Sequence, residues 1–181
     1  LWQQPAGAQQ RACASCHGEV QRLRGVAARY PTFDAPSGGA PNLAQRIQRC
    51  RTQHQQATPW PLESEELLAL EALVALQSRG LPLNPPEDAR LQAVREQGRT
   101  LYVQRLGQLN LSCAQCHDQR WGQRLGGTLI PQAHPNSYPQ YRLEWQGLGS
   151  LQRRLRSCLS GVRAQPWPLG APELVALELY L

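Results

Sequence analysis

Two short segments constrain this chain more than anything else in its 181 residues: Cys13-Ala14-Ser15-Cys16-His17 and Cys113-Ala114-Gln115-Cys116-His117. In a CxxCH segment the two thiols can add across the vinyl groups of haem, giving thioether bonds, and the adjacent His reaches the iron. On a helix the two intervening residues set the sulfurs about one turn apart, which suits the vinyl separation. A zinc knuckle would want four clustered N and S ligands. A thioredoxin-like redox pair needs no following His and expects a βαβ setting that this sequence lacks. The segments therefore predict two covalently bound haem c groups, attached at Cys13 and Cys16 and at Cys113 and Cys116, with His17 and His117 on the iron. Attachment of this kind takes place outside the bacterial cytoplasm, so a periplasmic location is expected. The start at Leu1 reads as a chain from which an export signal has been removed.

The second half repeats the first. The CxxCH segments lie 100 residues apart, the lone cysteines Cys50 and Cys158 lie 108 apart, and Pro59-Trp60-Pro61-Leu62 recurs 107 residues on as Pro166-Trp167-Pro168-Leu169. Each half runs CxxCH, loop, Arg-rich helix with a Cys, PWPL, then a Leu/Ala helix, at 66–76 and 173–181, with acidic residues in the first turn where the helix dipole favours them. A further helix is expected over 91–108, and Gly/Pro-rich loops at 30–41 and 125–139 would cover the haem faces. No segment alternates with the period of two that marks a strand. The expected fold is all-α: two tandem cytochrome c-like haem domains related by internal duplication, over residues 1–84 and 85–181, joined by the Pro-rich stretch 81–87.

Composition agrees with a soluble, cofactor-filled chain. Hydrophobic residues make up 41%, mean hydropathy is −0.50, and no apolar run nears the roughly 18 residues of a membrane span. Aromatic residues are 6% with a single Phe, a thin supply for two small cores. The net charge of +6 comes entirely from Arg, since Lys is absent, but these arginines are scattered among the haem segments and match no nucleic-acid module.

The chain has no Met, which removes the usual Met ligand opposite the proximal His. Cys50, Cys158, His54 and His134 remain. The repeat favours the cysteines, because Cys50 and Cys158 hold equivalent positions while neither His has a counterpart. An anionic thiolate would favour ferric iron and lower the potential. The alternatives are that Cys50 and Cys158 are small buried hydrophobes or form a disulfide joining the halves. Arg46 and Arg154 stand four residues before Cys50 and Cys158, one helical turn away on the same face. With Arg49, Arg51, Arg153, Arg156 and Arg163 they supply positive charge that favours thiolate and suits a small dianion; as a bland alternative, they pair with haem propionates or form a solvated basic face.

These features together, with GVAARYP at 25–31, ESEELLAL at 63–70, YRLEWQ at 141–146, GSLQRR at 149–154 and VRA at 162–164, resemble the dihaem SoxA subunit of the SoxAX cytochromes. The resemblance covers nearly the whole chain. It implies an L-cysteine S-thiosulfotransferase, in which thiosulfate is joined oxidatively to a cysteine of the SoxYZ carrier and two electrons leave through haem to a downstream cytochrome c. It implies that the C-terminal haem is the active one, that its ligand Cys158, often a persulfide in the family, and Arg154 are the catalytic residues, and that His17 and Cys50 ligate the N-terminal haem. A monohaem SoxX-type subunit is the implied partner. Two other functions fit the haem segments: a plain dihaem electron carrier, and a thiosulfate dehydrogenase that forms tetrathionate.

Overall fold

Local chemistry sets the helix starts. The computed structural model describes residues 1–181, and its seven α-helices are α1 (Cys13–His17), α2 (Leu43–Arg49), α3 (Glu65–Leu76), α4 (Gln92–Val103), α5 (Cys113–His117), α6 (Leu151–Gly161) and α7 (Pro172–Tyr180). Ser64 caps α3 by accepting from the Leu67 amide, with Glu65 and Glu66 in the first turn. Pro begins α7, where its missing N–H costs nothing. At α2 and α5 reciprocal capping boxes form: Asn42 with Gln45, and Ser112 with Gln115 at 3.2 and 2.9 Å.

The chain divides into two compact units, one of residues 1–88 and 138–150, the other of 89–137 and 151–181. The first unit thus ends near the expected 84/85 boundary but also takes in 138–150, which the sequence reading assigned to the second domain. The reason is local: strand β4 (Gly147–Gly149) packs against α3, and the Ser150 amide donates to the Glu63 carboxylate at 3.3 Å. In the first unit Leu67, Leu68, Leu70 and Val74 of α3 are buried. In the second, α4 crosses α7, burying Leu91, Leu174 and Ala176 completely at 0% exposure.

The all-α expectation needs correction. Two antiparallel hairpins are present, β1 (Arg124–Leu125) with β2 (Thr128–Leu129), and β3 (Gln140–Arg142) with β4. Gly126, at φ +59°, and Gly127 make the two-residue turn of the first, as such a tight turn requires. The helix expected over 91–108 ends at Val103, after which Leu106 bridges to Leu111 around a turn. No helix is long and apolar enough to cross a membrane.

Each unit closes its CxxCH approach in the same way. In the first, the Ala8 and Gln9 amides donate to Gln56 and Gln55 at 3.2 Å; in the second, Gln108 and Leu109 donate to Arg163 and Val162 at 3.3 Å. Gly7 and Gly107 allow this, since a Cβ on either would sit 2.0 or 2.1 Å from the facing carbonyl oxygen.

Candidate functional site

In the first unit a cavity of about 490 Å³ gathers Cys13, Cys16 and His17 from α1 with Cys50 and His54. Its walls are otherwise largely apolar, from Leu23, Val26, Leu43, Ile47, Leu70 and Val74. Cys50 does not sit on a regular α-helix as expected. It opens a π turn, Cys50–Gln55, where the Thr52 hydroxyl donates back to the Gln48 carbonyl at 3.1 Å. This widened turn brings Cys50 and His54 to one cavity. Burial pushes the free thiols of Cys13 and Cys50 above their ordinary range; their mutual repulsion adds to this at Cys13, and Arg46 opposes it at Cys50.

Arg46 and Arg49 are tied down by an acid that the sequence reading did not single out. Asp34 pairs with Arg46 at 3.4 Å and with Arg49, and accepts the Ser37 hydroxyl at 2.7 Å. The Ser37 hydroxyl, its amide and the two guanidinium groups hold the Asp34 carboxyl below its ordinary range. A lone Asp in a Gly/Pro-rich loop, facing an Arg-rich helix, was the signal available.

In the second unit α5 carries Cys113, Cys116 and His117. The His117 ring meets the Pro131 carbonyl through Nδ1 at 2.8 Å. A carbonyl can only accept, so Nδ1 donates here, and Nε2 is the ring nitrogen left to face a metal. Pro131 lies in the loop expected to cover the haem. Next to His117, the Asp118 carboxylate accepts from the buried Tyr102 hydroxyl at 2.6 Å. His134 shares a separate cavity of about 430 Å³ with His117, Tyr102 and Asp118.

Cys158 lies on α6, within electrostatic reach of Cys113, whose free thiol burial and then Cys158 push up to about 11. The relation repeats that of Cys50 to Cys13. Arg154 is half-buried one turn before Cys158, and the Arg156 Nε is buried without a partner. No disulfide joins any of the six cysteines. No group of three or more His, Cys, Asp and Glu side chains is placed to hold a bare metal ion. Haem brings four nitrogens of its own and asks the protein for further ligands and an apolar slot. The first cavity supplies these, with two thiols, an imidazole and a thiol beyond them.

The family description "SoxA/TsdA, cytochrome c domain" matches residues 1–83. The chain is 37% identical over 182 residues to the L-cysteine S-thiosulfotransferase subunit SoxA of Rhodovulum sulfidophilum, covering 100% of this chain and 63% of that protein. It is 31% identical to the same subunit of Paracoccus pantotrophus, covering 99% of this chain and 62% of the relative. The chain thus spans somewhat less than two thirds of the length of these curated relatives. The crystal structure of SoxXA from P. pantotrophus superposes with a TM-score of 0.94 at 31% identity, covering 99% of this chain and 68% of the other. With 37% identity to one SoxA subunit over its whole length and a close superposition on SoxXA at 31% identity, the chain belongs to the SoxA family of c-type cytochromes.

Proposed function

We propose that the chain is the two-haem subunit of a periplasmic L-cysteine S-thiosulfotransferase, built by internal duplication and working with a SoxX-type monohaem cytochrome. The duplication is supported by matching hydrogen bonds around Gly7 and Gly107 and by lone cysteines that relate alike to their CxxCH segments. The observation that carries the functional reading is Cys158 on α6 within electrostatic reach of the CxxCH cysteine Cys113, with Arg154 one helical turn away on the same helix.

In the proposed reaction the outer sulfur of thiosulfate joins the thiolate of a SoxYZ cysteine. One S–S bond forms and no bond breaks. A dianion and a thiolate give a product of single negative charge, so two electrons must leave. Haem, when bound, supplies their exit. The chain's residues do the rest. Arg154 holds the dianion by charge-assisted hydrogen bonds, and Cys158 would hold the second haem through sulfur, as the persulfide formed when its thiolate takes the outer sulfur of a thiosulfate and sulfite leaves. Pro131 fixes the His117 ring, while His17 and Cys50 hold the first haem.

The test is a product assay with the assembled protein, thiosulfate and an oxidised cytochrome c. A thiosulfate adduct on the carrier cysteine, and no tetrathionate when the carrier is omitted, is the expected result. Tetrathionate formed without carrier would replace the proposal with thiosulfate dehydrogenase. No oxidised sulfur product with the carrier present would leave an electron carrier.

A further inference from the structure

We propose that Arg51 binds a propionate of the haem in the first unit, with the PWPL segment as the platform that aims it. This rests on the reading that the first cavity holds haem. Arg51 is only 9% exposed and lines that cavity. One edge of its guanidinium is used, since Nη2 donates to the Thr58 carbonyl at 3.0 Å. Its face is used too, with Cζ 3.3 Å above the Trp60 ring centroid. Trp60 is itself fixed at both backbone groups by the Gln48 amide, which accepts from the Trp60 N–H at 3.1 Å and donates to its carbonyl. The Nε of Arg51 remains, buried and without a partner.

A buried guanidinium with an unmet donor is costly unless an anion meets it. Glu66 acts on Arg51 only at a distance and is itself exposed. Haem brings two carboxylates, and a propionate offers the planar acceptor that a guanidinium matches. Simple packing of Arg51 on Trp60 would account for the stacking but not for the buried, unsatisfied Nε.

The repeat sharpens the assignment. At the offset that carries Cys50 to Cys158, Arg51 falls on Leu159, which is 7% exposed and shares a cavity with Trp167 of the second PWPL. One platform carries a cation and the other an aliphatic chain. The first haem therefore has a fixed positive charge at its edge that the second lacks at this position, which favours its reduced state.

The experiment uses the mature two-haem protein with Arg51→Met and Arg51→Lys, haem count by intact mass, potentiometry and resonance Raman spectroscopy. In Arg51→Met two haems are retained, the midpoint potential of one haem falls, and its propionate-bending band shifts while the other haem keeps both values. Arg51→Lys keeps most of the potential. The second haem is the internal control. A propionate band and potential unchanged in Arg51→Met, or a shift confined to the iron–sulfur mode through neighbouring Cys50, would overturn the proposal. If Arg51→Met loses the first haem, Arg51→Lys decides: a shifted propionate band on one haem supports the contact, and an unchanged band overturns it. A wild-type protein carrying one haem, attached in the second unit, would instead overturn the reading of the first cavity.

Discussion

Replacing Cys158 with Ala is expected to lower thiosulfate conjugation by about 10³-fold or more, the scale seen when a reacting group is removed from a preorganised site. The optical spectrum of one haem should change with it, because in the proposed reading Cys158 would supply that haem with an anionic sulfur ligand. The same substitution at Cys50 should alter the spectrum of the other haem and cost far less activity. The asymmetry follows from what surrounds the two sulfurs. Arg46, one turn before Cys50, is paired with Asp34, which also takes Arg49. Asp34 thus neutralises charge in the first unit that would otherwise draw an anion. On α6 the equivalent Arg154 is half-buried beside Cys158 and serves the dianion in the proposed reaction. Carrier-dependent product formation, measured for the two variants side by side with their spectra, checks this. Equal losses at Cys50 and Cys158 would remove the distinction between the haems.

Gly98→Ala should be severely damaging to the second unit. A Cβ there would lie 2.0 Å from the Ala176 oxygen, 2.7 Å from its carbon and 2.8 Å from the Tyr180 Cβ. Backbone, not a flexible side-chain end, stands in the way, so α4 and α7 must separate. Their contact buries Leu174 and Ala176 at 0% exposure, and the Tyr102 ring meets Tyr180 at 5.2 Å. Forcing bulk into such a core costs about 3 kcal/mol or more, which for a unit of this size lowers Tm by roughly 10 °C or more. Gly161→Ala is the control, since nothing lies within 4 Å of a Cβ at that site. Thermal unfolding followed by far-ultraviolet circular dichroism measures both. A Gly98→Ala protein as stable as wild type would mean the helices do not cross this closely.

Much of this was legible in the sequence, because its signals are local. CxxCH specifies a short helix and a covalent partner within five residues. The Leu/Ala helices announce themselves through acidic first turns, and both begin within one residue of expectation, at Glu65 and Pro172. What escaped depends on contacts between distant residues or on elements too short to show a period. A strand such as Arg124–Leu125 cannot alternate visibly. The π turn at Cys50 arises from hydrogen bonding within the helix, and Thr52 is an ordinary surface residue in the sequence. The assignment of 138–150 to the first unit follows from packing on α3, which no local pattern encodes. Of the candidate site, the expected haem ligands were read from motif and symmetry. The residues that hold them in place were not: Asp34 under the arginines, Pro131 behind His117 and Trp60 beneath Arg51.

The most direct test of sulfur chemistry at the second haem is peptide-resolved mass spectrometry of the native, unreduced protein after exposure to thiosulfate. The account predicts one additional sulfur on the peptide containing Cys158, with the Cys50 peptide unmodified. Added sulfur on Cys50 alone, a Cys50–Cys158 disulfide, or both thiols bare would contradict it.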